Sequence, residues 1–526
     1  MTSPSEQPEA ASTALPAQPA DFWRNPRYDP VKIALIYFLL MLPVALIFHQ
    51  PNDGLETDFF GSYAPQARGL LDNGVLPIEE YRGPIYPIVL AGARLLLGHY
   101  FLAGVVLSVV SAAALIGVLF MVAAQLWNRR VALWTVIITA FNPVFVRYSY
   151  EAGTDMLFAA TCFAALYFVL QDRGIRGGIW AAVAYLTRYN GIALLVPSLF
   201  SRKRFWILAT FAVLILPWGL RCWKEKGNFF YNKNYLNLAY NVYGEGRPWD
   251  NFWNDPNVHK QFTSFGAVVA HGPGTFVKKM LTNIVRNLVN DSQQIMGILQ
   301  TLLAAVGLMF LRLDRKRLLF FLFALWMFAI NLFAFYSERF SLFLVPFYAV
   351  LAVIGCERLL EFTRNTVVAQ PSVGPAAKRF WNAPALRHVL VSALAVYTLV
   401  NCVRYNVPQI GSDLVYVPDI AARIAPHMTG GTVCARKPHI IWFLNEQFRL
   451  FPTFTHVPIP NHDLIATLRK EKVDYLYLSA IEYVLRPETR PLFELNNVPP
   501  DFSPIYYQRR PPVVVFQISH AGFPSR

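Results

Sequence analysis

Charge is scarce in this sequence. Of its 526 residues only 15% are Asp, Glu, Lys or Arg, whereas 55% are apolar and 15% aromatic. That balance excludes an ordinary soluble enzyme and assigns the chain to a bilayer. Cysteine is scarce as well: Cys162, Cys222, Cys356, Cys402 and Cys434 form no CxxC pair and no metal-ligand spacing, which excludes a zinc or dithiol motif. The ten histidines include no HxxxH pair, so no metal box is visible. No glycine-rich phosphate loop stands between a strand and a helix, which leaves a nucleotide without a cradle. No internal repeat relates two halves of the chain, and many transporter folds carry one. The net charge of +15 is spread over short clusters between apolar runs, so the basic stripe of a nucleic-acid binder is missing.

What is present is a series of long apolar runs. Residues 1–22, rich in Pro, Ala, Ser and Gln, read as a disordered tail. The run VKIALIYFLLMLPVALIFH follows Arg24, Arg27 and Lys32 and is too long for a signal-peptide core, so it reads as an uncleaved anchor with its N-terminus in the cytoplasm. Further crossings are expected over 101–126, 131–147, 155–171, 176–187, 189–200, 205–220, 294–311, 317–335, 341–360 and 387–404, which makes about 11. With the N-terminus inside, the clusters Asn128-Arg129-Arg130, Arg202-Lys203-Arg204 and Arg315-Lys316-Arg317 all face the cytoplasm. Reading 177–200 as two short segments hinged at Thr187–Gly191 keeps that sidedness and spares Arg188 the hydrocarbon. The expected architecture is an all-α polytopic membrane domain, residues 23–404, with outer loops 50–100 and 221–292. Residues 405–526 alternate strand-like runs with a helix and read as a small extracytoplasmic α/β domain.

This topology gathers polar groups at the outer face: Asp58 in the first loop, Arg82, Glu151 and Asp155 before a helix, Arg188 in LTRYNG and Arg339 in SERFS. Ionisable groups entering a bilayer are costly and usually functional. Each also has a plainer reading. Asp58 and Asp155 suit a helix N-terminus, where backbone N–H groups and the dipole favour a carboxylate. Arg188 and Arg339 suit the interface as snorkelling side chains. Arg82 also suits a solvated loop charge, and Glu79 and Glu80 read as plain loop charge.

The order TDFFGSYAPQARGLL, RGPIYP, RYSYEAGTDMLFAA, LTRYNG and ERFSLFLVPFY, with its sidedness, resembles the GT-C superfamily over about residues 30–360. Its members are integral-membrane glycosyltransferases that use polyprenyl-phosphate sugars, including protein O-mannosyltransferases and lipid A aminoarabinose transferases. The resemblance implies a GT-C fold in the inner (plasma) membrane and a catalytic carboxylate at Asp58, with Tyr63 on the following helix. It places Arg82 and Arg339 at the family's arginine motifs, although Gly83 separates Arg82 from Pro84. Phe59 stands where the mannosyltransferases carry the second acid of their DE pair.

Transfer from a lipid phosphate needs one base, because the leaving phosphate is already anionic. The expected roles are Asp58 as base, Arg339 with Arg82 and Arg188 on the donor phosphate, and Asp155, Glu151 and Tyr63 toward the acceptor or behind the site. The implied partners are a polyprenyl-phosphate sugar, a lipid, glycan or protein acceptor, and membrane lipids, with no nucleic acid. No cofactor is required by this scheme; a divalent cation is an option only if the fold brings Asp58 together with Glu80 or Asp155. The alternatives at this level are a transporter of an anionic or sugar-like solute and a non-catalytic envelope scaffold.

Overall fold

The computed structural model describes residues 25–520 except 53, 245, 248–251, 254, 371, 384, 410–415, 449–452, 461–462 and 497. The expected tail, 1–22, lies outside the described residues. Among the described residues six helices are long and apolar enough to cross a membrane: Pro26–Phe48, Tyr100–Leu126, Arg204–Lys226, Pro273–Met309, Glu338–Ala369 and Ala385–Asn406. Two are central, with 67% of the apolar window of Tyr100–Leu126 and 78% of that of Glu338–Ala369 buried, against 22–28% in the other four. The peripheral helices turn apolar side chains outward, such as Leu40, Ile47, Val213 and Leu302, as lipid contact requires.

The expected count of 11 is not reproduced by length and composition. The 131–147 segment is broken into Arg129–Ala140 and Pro143–Tyr150, bent by 67°, because Asn142 caps a new helix that opens on Pro143. Three other expected crossings are helices of 16, 14 and 17 residues, at Asp155–Leu170, Gly174–Thr187 and Arg315–Asn331. The chain does break where the arginine argument places the hinge. Thr187 ends its helix, Arg188 is extended, and a 3-10 turn over Tyr189–Leu194 follows.

Small residues set the closest helix crossing. A Cβ on Gly307 would lie 2.0 Å from the Leu351 carbonyl oxygen, and one on Gly355 would lie 1.8 Å from that of Leu303. Only glycine at both positions lets Gly297–Met309 and Val345–Ala369 touch backbone to backbone, the usual association device where no water is expelled.

Beyond the helices, five strands form one sheet in the order β2-β1-β3-β5-β4: β1 Gly431–Ala435, β2 Phe454–Pro458, β3 Tyr475–Leu478, β4 Phe502–Gln508 and β5 Val513–Ile518. β1 pairs in parallel with β2 and β3, and β5 antiparallel with β3 and β4. Three of these strands are legible as apolar runs; β2 and β4 carry mixed polarity and were not expected. Alternation decides the packing. Cys434, Leu476, Leu478, Val514 and Phe516 face one apolar cluster, while Val433, Tyr475, Tyr477, Val513 and Val515 join the large cluster that also holds the membrane helices. The helix His439–Gln447 packs in that joint, with Tyr100 against Trp442 and Phe60 against Phe443. The sheet is therefore docked onto the loop that carries Asp58.

Candidate active site

Residues 55–58 separate two acids by their backbone. Glu56 adopts a left-handed conformation, φ 58°, rare for a side chain with a Cβ. It turns inward, only 1% exposed, where Oε1 accepts from His49 Nε2 at 2.9 Å and from the Ala152 amide. Its Oε2 is buried without a partner. Asp58, two residues on, points outward with its side chain 33% exposed. It does not serve as a helix cap: no backbone N–H of the π-helical turn Phe59–Tyr63 bonds its carboxylate.

Arginines occupy it instead. Arg82 Nη2 donates to Asp58 Oδ1 at 2.5 Å, and Arg339 Nη1 donates to Oδ2 at 2.6 Å. Arg339 Nε also rests on both oxygens of Asp155 at 2.8 Å, Arg188 Nη1 donates to Asp155 Oδ1 at 2.7 Å, and Arg82 Nη1 donates to Glu79 Oε1 at 2.5 Å. Three carboxylates and three guanidiniums thus alternate in one chain, Glu79, Arg82, Asp58, Arg339, Asp155, Arg188. Burial acts to raise the Asp58 pKa, but Arg82 and Arg339 outweigh it and hold the carboxyl well below the usual range.

Local sequence explains the approach. Gly83 lies against the end of the Gly174–Thr187 helix, where a Cβ would fall 1.9 Å from the Leu186 carbonyl oxygen. The glycine between Arg82 and Pro84 is what lets Arg82 approach the Arg188 hinge. Tyr63 supports the same corner: Arg82 lies over its ring at 5.2 Å and its hydroxyl meets Thr154 at 3.2 Å.

Asp58, Glu79, Arg82, Arg188 and Arg339 line a cavity of about 900 Å³. Its opposite wall comes from the Asn/Tyr-rich stretch after Lys226, including Asn228, Asn232, Asn234, Tyr235 and Asn237. Asp58, Glu79 and Arg82 also line a second, open cavity of about 420 Å³, together with Pro438, Trp442, Asn445 and His456 of the C-terminal region. Asp58, Glu79 and Arg82 thus line both cavities.

Not every expected residue joins the site. Glu151 pairs with Arg147 at 2.6 Å, and Arg147 in turn with Glu338 at 2.7 Å, as a separate network lining neither chamber. Asp155, only 5% exposed, holds two arginines and offers little to an acceptor. Glu79, read from sequence as loop charge, is a member of the site; its position three residues before Arg82 was the available signal. Glu80 pairs with Lys233 at 2.5 Å and ties two loops together. Lys437, which lines the larger cavity, and the Glu56–His49 pair were also missed, and nothing in local sequence points to them. Asp58 and Asp155 are engaged by arginines and Glu80 by lysine, and among the described residues no group of three His, Cys, Asp or Glu side chains is placed to hold a metal ion.

Residues 81–218 match the family described as dolichyl-phosphate-mannose-protein mannosyltransferase. That span contains Arg82, Asp155 and Arg188 but neither Asp58 nor Arg339. No curated protein sequence matches. Among solved structures, ArnT from Cupriavidus metallidurans bound to undecaprenyl phosphate is 16% identical, with a TM-score of 0.54 over 95% of this chain and 99% of that one. The Archaeoglobus fulgidus oligosaccharyltransferase tethered to an acceptor peptide is 13% identical, with a TM-score of 0.56 over 96% of this chain and 75% of that one. The fold is shared with both structures over nearly the whole of this chain, and the family match lies in its N-terminal half, so the protein has the fold of these GT-C glycosyltransferases.

Proposed function

We propose that the protein is a glycosyltransferase that moves a sugar from a polyprenyl-phosphate donor to an acceptor hydroxyl at the extracytoplasmic membrane face, with inversion at C1. The observation that carries this reading is Asp58 held between Arg82 and Arg339 at the junction of two chambers. The donor enters the larger chamber, its isoprenoid tail lying between apolar helices, and its phosphate takes guanidinium contacts now made by Asp58 and Asp155. The acceptor enters from the smaller chamber. The family match and the two GT-C neighbours support a transferase. We retain 11 crossings and the outward C-terminal region, residues 405–526, as part of this proposal.

The geometry imposes an order on the chemistry. A carboxylate bonded by two arginines is a weak base, because each cation stabilises its ionised form. A phosphate that recruits those arginines releases Asp58 and raises its basicity where the acceptor proton must be taken. The acceptor oxygen then bonds C1, the C1–O(phosphate) bond breaks with its electrons passing to the phosphate, and the proton moves to Asp58. Arg339, with Arg82 and Arg188, stabilises the charge that grows on the leaving group, an effect worth several kcal/mol in a preorganised site.

The test is release of polyprenyl phosphate from a panel of radiolabelled polyprenyl-phosphate sugars, with membrane extract as acceptor, by wild type and Asp58→Asn. Release by folded wild type alone supports the reaction and the base together. No release with any donor removes the reading and directs attention to solute uptake.

A further inference from the structure

At the end of the bundle away from Asp58, two cavities of about 330 and 260 Å³ adjoin, and Arg387 and Glu361 line both. The central helix connects the two ends: Glu361 lies about 30 Å of helix rise beyond Arg339. Arg312, Arg317 and Arg358 line the first cavity; Arg130 and Arg364 line the second. Against these six guanidiniums stand two carboxylates, Glu357 and Glu361.

Most basic residues at this end are explained by membrane topology, which places Lys and Arg at one face without any ligand. Arg317 and Arg358 also have internal partners. Arg317 donates to the carbonyls of Leu126 and Arg312 at 2.9 and 3.1 Å, and Arg358 donates to Glu361 at 2.7 Å. Arg387 differs from these two. Like Arg130, Arg312 and Arg364, its guanidinium makes no hydrogen bond or ion pair with any described residue, and of the six arginines it is the one that lines both cavities, partly buried between them. Its planar fork of donors suits a phosphate, which accepts two parallel hydrogen bonds. Its own helix, Ala385–Asn406, then presents an outward apolar face through Val389, Leu390 and Val396. Trp127 and Trp381, side chains suited to the interface, border the two cavities.

We propose that this pair of cavities binds the phosphate of an anionic phospholipid headgroup, with Arg387 as its principal ligand and the acyl chains lying along Val389, Leu390 and Val396. A basic pocket between membrane helices next to an apolar face has the chemistry such headgroups require. The site is separate from the Asp58 chambers and does not depend on the proposed reaction.

The test uses full-length protein stripped of lipid in detergent and titrated with phosphatidylglycerol, phosphatidylcholine or soluble glycerol phosphate, with binding read by native mass spectrometry. Arg387→Gln is compared with Arg315→Gln, which removes the same charge from the same end but outside both cavities, where Arg315 donates to the Phe200 carbonyl at 3.2 Å. Wild type and Arg315→Gln are expected to prefer phosphatidylglycerol about five- to tenfold, and Arg387→Gln to lose that preference. Arg387→Lys, which keeps the charge without the fork, is expected to fall between and serves if the glutamine variant does not fold. Equal loss in the Gln variants at 387 and 315, or none in either 387 variant, overturns the site. Glycerol phosphate binding as tightly as the lipid overturns the lipid assignment in favour of a free phosphate.

Discussion

Asp58 and Arg339 are 281 positions apart in the chain and 2.6 Å apart in the fold. The same guanidinium spans to Asp155, so a single arginine joins the loop after the first long helix to the start of the Asp155–Leu170 helix.

Replacing the base should separate binding from chemistry. Asp58→Asn is expected to lower kcat by about 10²- to 10⁴-fold, the range for general-base catalysis. Donor KM should stay level or fall, because two guanidiniums lose an anionic competitor. Steady-state kinetics on donor release check it; a tenfold rise in KM with kcat retained would contradict the assignment.

Arg339 is expected to contribute to stability as well as to donor binding. Arg339→Gln leaves Asp155 and Asp58 short of a cation and is expected to cost on the order of 2–3 kcal/mol of stability and to weaken donor binding. Arg339→Lys, which retains charge but cannot span both carboxylates, should recover part of the stability and little of the turnover. Thermal melts beside donor titrations distinguish the two effects.

The acid limb of the pH profile should report Arg82. Because the Asp58 pKa is lower folded than unfolded, its ionic contribution is complete above the ordinary carboxylate value near pH ~4 and disappears only as pH falls through the lower folded value. In wild type kcat/KM should show no limb from Asp58 between about pH 5 and 8. Arg82→Gln should move an acid limb upward toward the ordinary carboxylate range, measured in the same donor-release assay.

His439 is predicted to make folding stability pH-dependent. Its Nε2 donates to the Leu55 carbonyl, three residues before Asp58, and its Nδ1 is buried without a partner. Burial pushes its pKa down to about 4, against a partial upward pull from that hydrogen bond. The unfolded chain therefore takes up a proton first as pH falls from about 6.5, costing up to about 1.4 kcal/mol per unit until the folded value is reached. Melting temperature should fall between pH 7 and 5, and His439→Gln should flatten that dependence.

Gly83 is predicted to have a kinetic role through Arg82. Gly83→Ala forces a methyl onto the Leu186 carbonyl, at an expected cost of about 1–3 kcal/mol for overpacking. Donor KM should rise with it. An alanine variant with unchanged KM and melting temperature would show that the loop has room to move.

Legibility followed the range of each interaction. The lipid-facing helices were legible because a run of apolar side chains reports its own environment. The hinge at Arg188 was legible because a buried charge is costly wherever the helix packs. Strands β2 and β4 were not, since their mixed polarity has meaning only beside β1 and β5. Asp58, Arg82, Arg188 and Arg339 were legible as charges at one depth, and the structure joins all four. Glu151 stood at the same depth but follows Arg147, its partner one helical turn away. Glu79 was passed over because loop acids are common.

The sequence by itself determined that this chain enters a membrane, that a helix breaks at Arg188, and which ionisable groups gather at one face, because hydropathy and charge act residue by residue. The tertiary structure decided which of two acids two positions apart faces the chamber. It also decided that one arginine serves two carboxylates and that the C-terminal region lines the second cavity. Those outcomes depend on backbone handedness at Glu56 and on contacts across hundreds of residues, and no local pattern encodes either.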